Sequence, residues 1–195
     1  MEVTTLLYWR VQGITELQPQ PAFKRYDTAP EIAADFSASG TALSLLGSKV
    51  KARVRYTVSL LDPVTTSTTQ LRTTYDARVR TGTVMKLRDE LLLIKSADNV
   101  SEAGVLRISV SRGHQETTRA SYPAGFAARV TLFERPCTLL KSTSNNRCYF
   151  TWESEDLSQA GGYELDYEVR DSTGKRFTAP LSPITFQVLD GPRSS

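Results

Sequence analysis

One histidine, His114, stands in a chain of 195 residues, so any Ser-His-Asp or Cys-His relay must run through it. It lies in the polar stretch Gly113 to Arg119, away from any strand end that would line a cleft, and a catalytic role is not expected. The two cysteines, Cys137 and Cys148, are eleven positions apart across an expected hairpin. With one histidine they give at most three ligands in no close spacing, so a structural zinc is not expected. As a pair they are either buried thiols or, if they oppose each other on paired strands, a single bridge. Gly161-Gly162 joins two strands without the helix that would aim backbone amides at a phosphate. Glu153, Glu155 and Asp156 crowd one segment without EF-hand spacing, the pattern of a solvated acidic turn. These residues predict no enzyme, no cofactor and no metal.

Two charged constellations remain. Glu164, Asp166 and Glu168 alternate along one segment, and Lys49, Lys51, Arg53 and Arg55 along another, joined by Arg72, Arg78 and Arg80 if the two neighbouring strands pair. Glycoside hydrolysis needs paired carboxylates at a spatial separation that sequence does not give. Successive same-face carboxylates read more simply as a solvated or partner-facing ladder. The basic face has three readings: solvation that guards a sheet edge, phosphate contact with nucleic acid, or a surface that meets the acidic ladder of a neighbouring subunit. Aromatics for base stacking are not interleaved on it, which weighs against nucleic acid. The net charge of +3 decides nothing, but its distribution is uneven. Basic residues outnumber acids by about two to one from Lys49 to Arg112, whereas Glu153 to Asp171 holds mostly acids.

The elements that position these residues are strands. Val50, Ala52, Val54, Tyr56, Val58 and Leu60 alternate with polar neighbours, and the same period of two recurs at Leu71 to Val79, Leu106 to Val110, Ala128 to Leu132, Tyr163 to Val169 and Ile184 to Val188. Leu71 to Val79 is expected to pair with the strand before it. Residues 83 to 94 either form one strand buried on both faces or break around Arg88-Asp89. Leu7, Trp9 and Val11 read as one face of a first strand, and MEVTTLLYWR lacks the basic and small-residue parts of a secretory signal. Residues 12 to 48, with Pro19, Pro21 and Pro30, read as an extended arm, or with Ile32, Ala34 and Phe36 as a short strand before a turn at Ser39-Gly40. Ser154 to Gln159 is expected to make one capped helical turn, ended by Gly161-Gly162, and Asp171 to Gly174 a hairpin turn. The polar stretch around 113 to 119 suggests a division into 1–115 and 116–195. The expected fold is all-β, one or two antiparallel β-sandwiches of immunoglobulin-like type with an extended N-terminal arm.

The segment Arg147 to Val188, with Trp152, Asp156-Leu157, Gly161-Gly162-Tyr163, the strand ELDYEV, a turn at Gly174 and Thr178-Ala179-Pro180, resembles the C-terminal half of an immunoglobulin-like domain of tailed-phage virions, notably of baseplate upper proteins and related tail and fibre components. Phe36 to Val54 is similar to the opening of such domains, and about ninety residues separate the two halves. The resemblance implies a non-enzymatic structural subunit of a tail, baseplate, fibre attachment or capsid decoration. Such a subunit is made in the host cytoplasm, built into the virion, and partnered by other virion proteins and copies of itself. Nucleic acid and membrane are not expected partners. The alternative is a carbohydrate-binding module that recognises a host surface, with Tyr122, Phe133 and Tyr149 as the aromatics off the expected core faces.

Overall fold

Alternation with a period of two gives, among the described residues, strands joined by turns and one 3-10 turn at His114–Glu116. The computed structural model describes residues 3–11, 14–17, 22–24, 31–39, 41–99, 104–140, 145–153 and 156–190. The strands in its first half are β1 (Val3–Val11), β2 (Ile14–Leu17), β3 (Ala22–Lys24), β4 (Glu31–Ala38), β5 (Thr41–Ala42), β6 (Lys49–Ser59), β7 (Gln70–Thr74), β8 (Val84–Leu87) and β9 (Glu90–Asn99). They continue as β10 (Val105–Ser111), β11 (Ala127–Pro136), β12 (Thr138–Leu140), β13 (Arg147–Phe150), β14 (Gly161–Arg170) and β15 (Arg176–Leu189).

The chain divides into two compact units. Unit 1 is Met1–Val54 with Phe133–Ser195, and unit 2 is Arg55–Leu132. The expected boundary at 115/116 is therefore not where the units part, and the first unit is discontinuous in sequence. Strands β6 and β11 each run through a boundary, so no polar linker marks it.

In unit 1, one sheet has the order β12-β13-β4-β1-β2 with β5 beside β4, and the other has β3-β15-β14-β6-β11. The pairs β1–β2, β1–β4, β4–β5, β4–β13, β12–β13 and β14–β15 are antiparallel, and β3 lies parallel to β15. The two sheets meet through aromatic edges. Phe36 of β4 meets Tyr167 of β14 at a centroid distance of 5.4 Å, and Trp152, just past β13, meets Phe186 of β15 at 5.9 Å. Tyr163 stacks on Phe186 at 5.3 Å. Such rings bury large areas and fix the spacing of the layers through edge-to-face contact.

Of the two readings of residues 12 to 48, the strand alternative holds: β4 covers Ile32, Ala34 and Phe36 and ends at a turn at Ser39, β2 and β4 flank β1, and β3 and β5 also fall within the stretch. Ala33 and Ala34 of β4 are both buried, one on each face. Pro19, Pro21, Pro30 and Gly40 lie outside the described residues, as do Ser154 and Glu155 of the expected helical turn. Of that turn, Asp156 accepts the amide of Glu153 at 2.8 Å, and Gly161 and Gly162 open β14 instead of ending a helix. The hairpin at 171–174 is as expected: Gly174 has φ +88 and donates to the Asp171 carbonyl at 3.0 Å.

In unit 2 the order is β6-β11-β8-β9-β10-β7. The last strand returns to the first through the Leu60–Thr73 bridge and the Leu61 amide, which donates to the Arg72 carbonyl at 2.8 Å. The strands thus close around a core that includes Tyr56, Leu87, Leu92, Ile94, Ile108 and Val130. Closure removes the edges that an open sheet would leave. β7 pairs along its length with β10 and ends at Thr74, so the expected pairing of 71–79 with the preceding strand reduces to that bridge. Residues 84–99 break as one alternative had it, at a tight turn where Arg88 has φ +53.

Candidate functional site

The outward face of β6 and β14 is where charge gathers in unit 1. Val50, Ala52 and Val54 turn inward, which sends Lys49, Lys51 and Arg53 outward; Tyr163, Leu165, Tyr167 and Val169 do the same for Glu164, Asp166 and Glu168. Because β6 and β14 are neighbours, Arg53 reaches the acidic ladder of its own chain. Its Nε donates to Asp166 Oδ1 at 2.6 Å, Nη1 to Glu168 Oε2 at 3.2 Å and Nη2 to Thr178 Oγ1 at 2.9 Å. Asp166 is only 2% exposed. A fixed guanidinium across two carboxylates orders the sheet and leaves little for either to offer outside. The ladder expected to meet a neighbour's basic face is thus met within the chain.

The rest of the expected basic face is dispersed. Arg55 is 8% exposed and belongs to unit 2. Arg78 is buried over the Tyr56 ring at 4.3 Å, and its Nη2 donates to Asp76 Oδ2 at 2.6 Å. Arg72 pairs with Asp62 at 3.5 Å. Arg80, Lys49 and Lys51 stay exposed, Lys51 in an open pair with Glu134 at 3.4 Å.

A different cationic group emerges at one end of the unit 1 face. Arg170 and Arg176 sit directly opposite each other across β14 and β15, both exposed, beside the 171–174 hairpin. The Leu46–Gly47 turn comes up to that hairpin: a Cβ on Gly47 would stand 3.4 Å from Ser172 Cβ. Lys49 follows directly, so Lys49, Lys51, Arg170 and Arg176 share this end, with Leu46, 73% exposed, at its rim. Like charges opposed on a sheet cost stability. Their parity with Glu168 across the turn was the available sequence signal.

The aromatics of the glycan alternative do not form an exposed platform. Tyr122 is buried in unit 2 at 6% exposure, and its hydroxyl donates to the Leu87 carbonyl at 2.8 Å. Phe133 is half-buried, edge-on to Trp152 at 5.8 Å and under the Arg135 guanidinium at 5.1 Å. Tyr149 is half-buried on β13. His114 is in unit 2 while both cysteines are in unit 1, and its carbonyl accepts the Thr117 hydroxyl at 2.9 Å. Among the described residues no group of three or more His, Cys, Asp and Glu could hold a metal ion.

Unit 2 holds a charge pair of another kind. Arg112 and Glu90 have no exposed side-chain surface. The guanidinium donates to both Glu90 oxygens, at 2.6 and 2.7 Å, and to the carbonyls of Thr65, Thr68 and Ala120. Glu90 also accepts the amides of Gly113 and Ala120. Burial alone would raise its carboxyl, but the Arg112 hydrogen bond, the Ala120 amide, the Arg112 charge and the Gly113 amide outweigh it and hold the group below its usual range. Both loops at this end of the unit are tied to one ion pair, which explains why the polar 113–119 stretch is no linker.

Compared with known proteins, the chain matches no family model, no curated protein and no solved structure.

Proposed function

We propose that the protein is a non-enzymatic structural component of a tailed-phage particle, acting through contacts made by an immunoglobulin-like unit 1 that carries unit 2 as an insertion. The observation that supports this reading is the division of the chain. The two segments that resemble the phage domain, 36–54 and 147–188, fall in the same unit, and the residues between them are mostly a unit of their own. An insertion accounts for the long separation of the two halves. Docking, on this reading, uses the cationic end at Lys49, Lys51, Arg170 and Arg176, because the Arg53, Asp166 and Glu168 cluster is engaged internally. Assemblies with symmetry reuse one such surface in many copies, and charge there orients a partner more than it tightens binding.

The test is composition. Particles banded on a density gradient from a lysate of the host that carries the gene are expected to contain the chain in multiple copies per particle by quantitative mass spectrometry. A chain confined to the soluble fraction, with metabolic genes on both sides of its own, overturns the reading.

A further inference from the structure

The hairpin of β12 and β13 forms the outer edge of one unit 1 sheet. Its registers, Thr138 with Tyr149 and Leu139 with Cys148, set Cys137 diagonally across from Cys148. Both cysteines are free, Cys148 buried and Cys137 partly open to solvent. By that register the two side chains fall on the same face of the hairpin. The Cys137 backbone is anchored, since its amide donates to the Val50 carbonyl at 2.8 Å. Tyr167 lies close behind, its hydroxyl buried without a hydrogen-bond partner and its ionisation opposed first by burial and then by the two cysteines. The Cys137 thiol, then burial and the nearby Asp35 carboxylate, push the Cys148 thiol far above the ordinary range. Cys148 therefore rests protonated, and the more open Cys137 is the sulfur that meets a reagent first.

We propose that Cys137 and Cys148 form a modification site, an intramolecular disulfide installed after folding by exchange with a low-molecular-weight disulfide such as oxidised glutathione. Cys137 loses its proton and attacks one sulfur of the small disulfide; that S–S bond breaks, and one glutathione leaves as thiolate and takes up a proton. Cys148 then gives up its proton and attacks Cys137 Sγ in the mixed disulfide, expelling the second glutathione as a thiol. Two protein thiols are oxidised and one small disulfide is reduced. The bridge closes the loop from 137 to 148 and locks a sheet edge that is free to fold first in a reducing compartment.

The experiment treats the full-length folded chain with oxidised glutathione. Thiol titration in denaturant is expected to fall from two per chain to none, with an intact mass lower by two hydrogens and no dimer on a non-reducing gel. Trypsin cuts after Lys141 and Arg147, so the two cysteine peptides separate unless a bridge joins them, and dithiothreitol parts them again. The bridged form is expected to melt about 5 °C higher than the reduced form. The Cys148→Ser chain should stop at a stable glutathione adduct on Cys137, whereas the Cys137→Ser chain should take up no glutathione while folded. Two persistent thiols, a disulfide-linked dimer, or a Cys137→Ser chain that forms its adduct as fast as Cys148→Ser would each overturn the proposal.

Discussion

The two units handle ionised groups in opposite ways. Unit 2 seals Arg112 and Glu90 from water and gives every donor on the guanidinium a partner. Unit 1 spreads its charges over an outer sheet face, where Arg53 bridges Asp166 and Glu168 at the edge of solvent. Charge defines the structure in unit 2 and is available for contact in unit 1. A sealed pair gains little net stability over an apolar pair of the same shape, but it has one acceptable geometry and so fixes the loops bonded to it. A face in water tolerates rearrangement and can exchange partners.

The sealed side has the most to lose. Arg112→Ala leaves the Glu90 carboxylate buried and should cost about 3–5 kcal/mol. Hydrogen exchange at Ile94 and Ile108 amides would show it, and a double replacement by apolar residues should recover much of the loss. The same carboxylate sets acid sensitivity. Its folded value is depressed below the ordinary 4.5, so its contribution is full above that pH and is lost as pH falls from there through the folded value. The Glu90→Gln chain should lose that part of the acid dependence in urea titrations repeated across the range.

Next comes the aromatic seam of unit 1. Phe36→Ala removes a fully buried ring set against Tyr167 and should cost about 3–4 kcal/mol. Both tryptophans, Trp9 and Trp152, belong to unit 1, so the shift should appear in the urea midpoint read by tryptophan fluorescence. An equal shift after Arg112→Ala would show that the two units do not melt as separate bodies.

Arg53→Ala exposes the contrast within one face. It strands Asp166 while Glu168 still reaches water, and a loss of about 2 kcal/mol in the same fluorescence assay is expected, between the sealed and the open cases. The smallest effect belongs to Lys51→Ala, whose pair with Glu134 is open to solvent; a change beyond about 0.5 kcal/mol would contradict the description of that pair as solvent-screened.

Much of this was legible in the sequence. The alternation along β6 and β14 gave both the inward rows and the outward charges, and the turn at Asp171 followed from its glycine. What stayed hidden was nonlocal. Arg53 and Asp166 are 113 positions apart, and nothing in either segment says that β6 lies beside β14. The unit boundaries fall inside two strands and not in a polar linker: the alternation of β6 runs straight through the first, and the second is marked only by the adjacent apolar pair Leu132 and Phe133 in β11. The 113–119 stretch mimics a linker because it is polar, yet a carboxylate far upstream in sequence holds the amides at both of its ends.

The interrupted course of unit 1 has a consequence for synthesis. A ribosome releases residues 55–132 as one contiguous block, so every strand of that block has its neighbours once Leu132 has emerged. β4 and the first half of β6 must wait until β13, β14 and β15 are translated. The inserted unit can thus mature while its host is still a partial sheet, and the host is completed only after β13, β14 and β15 have left the tunnel.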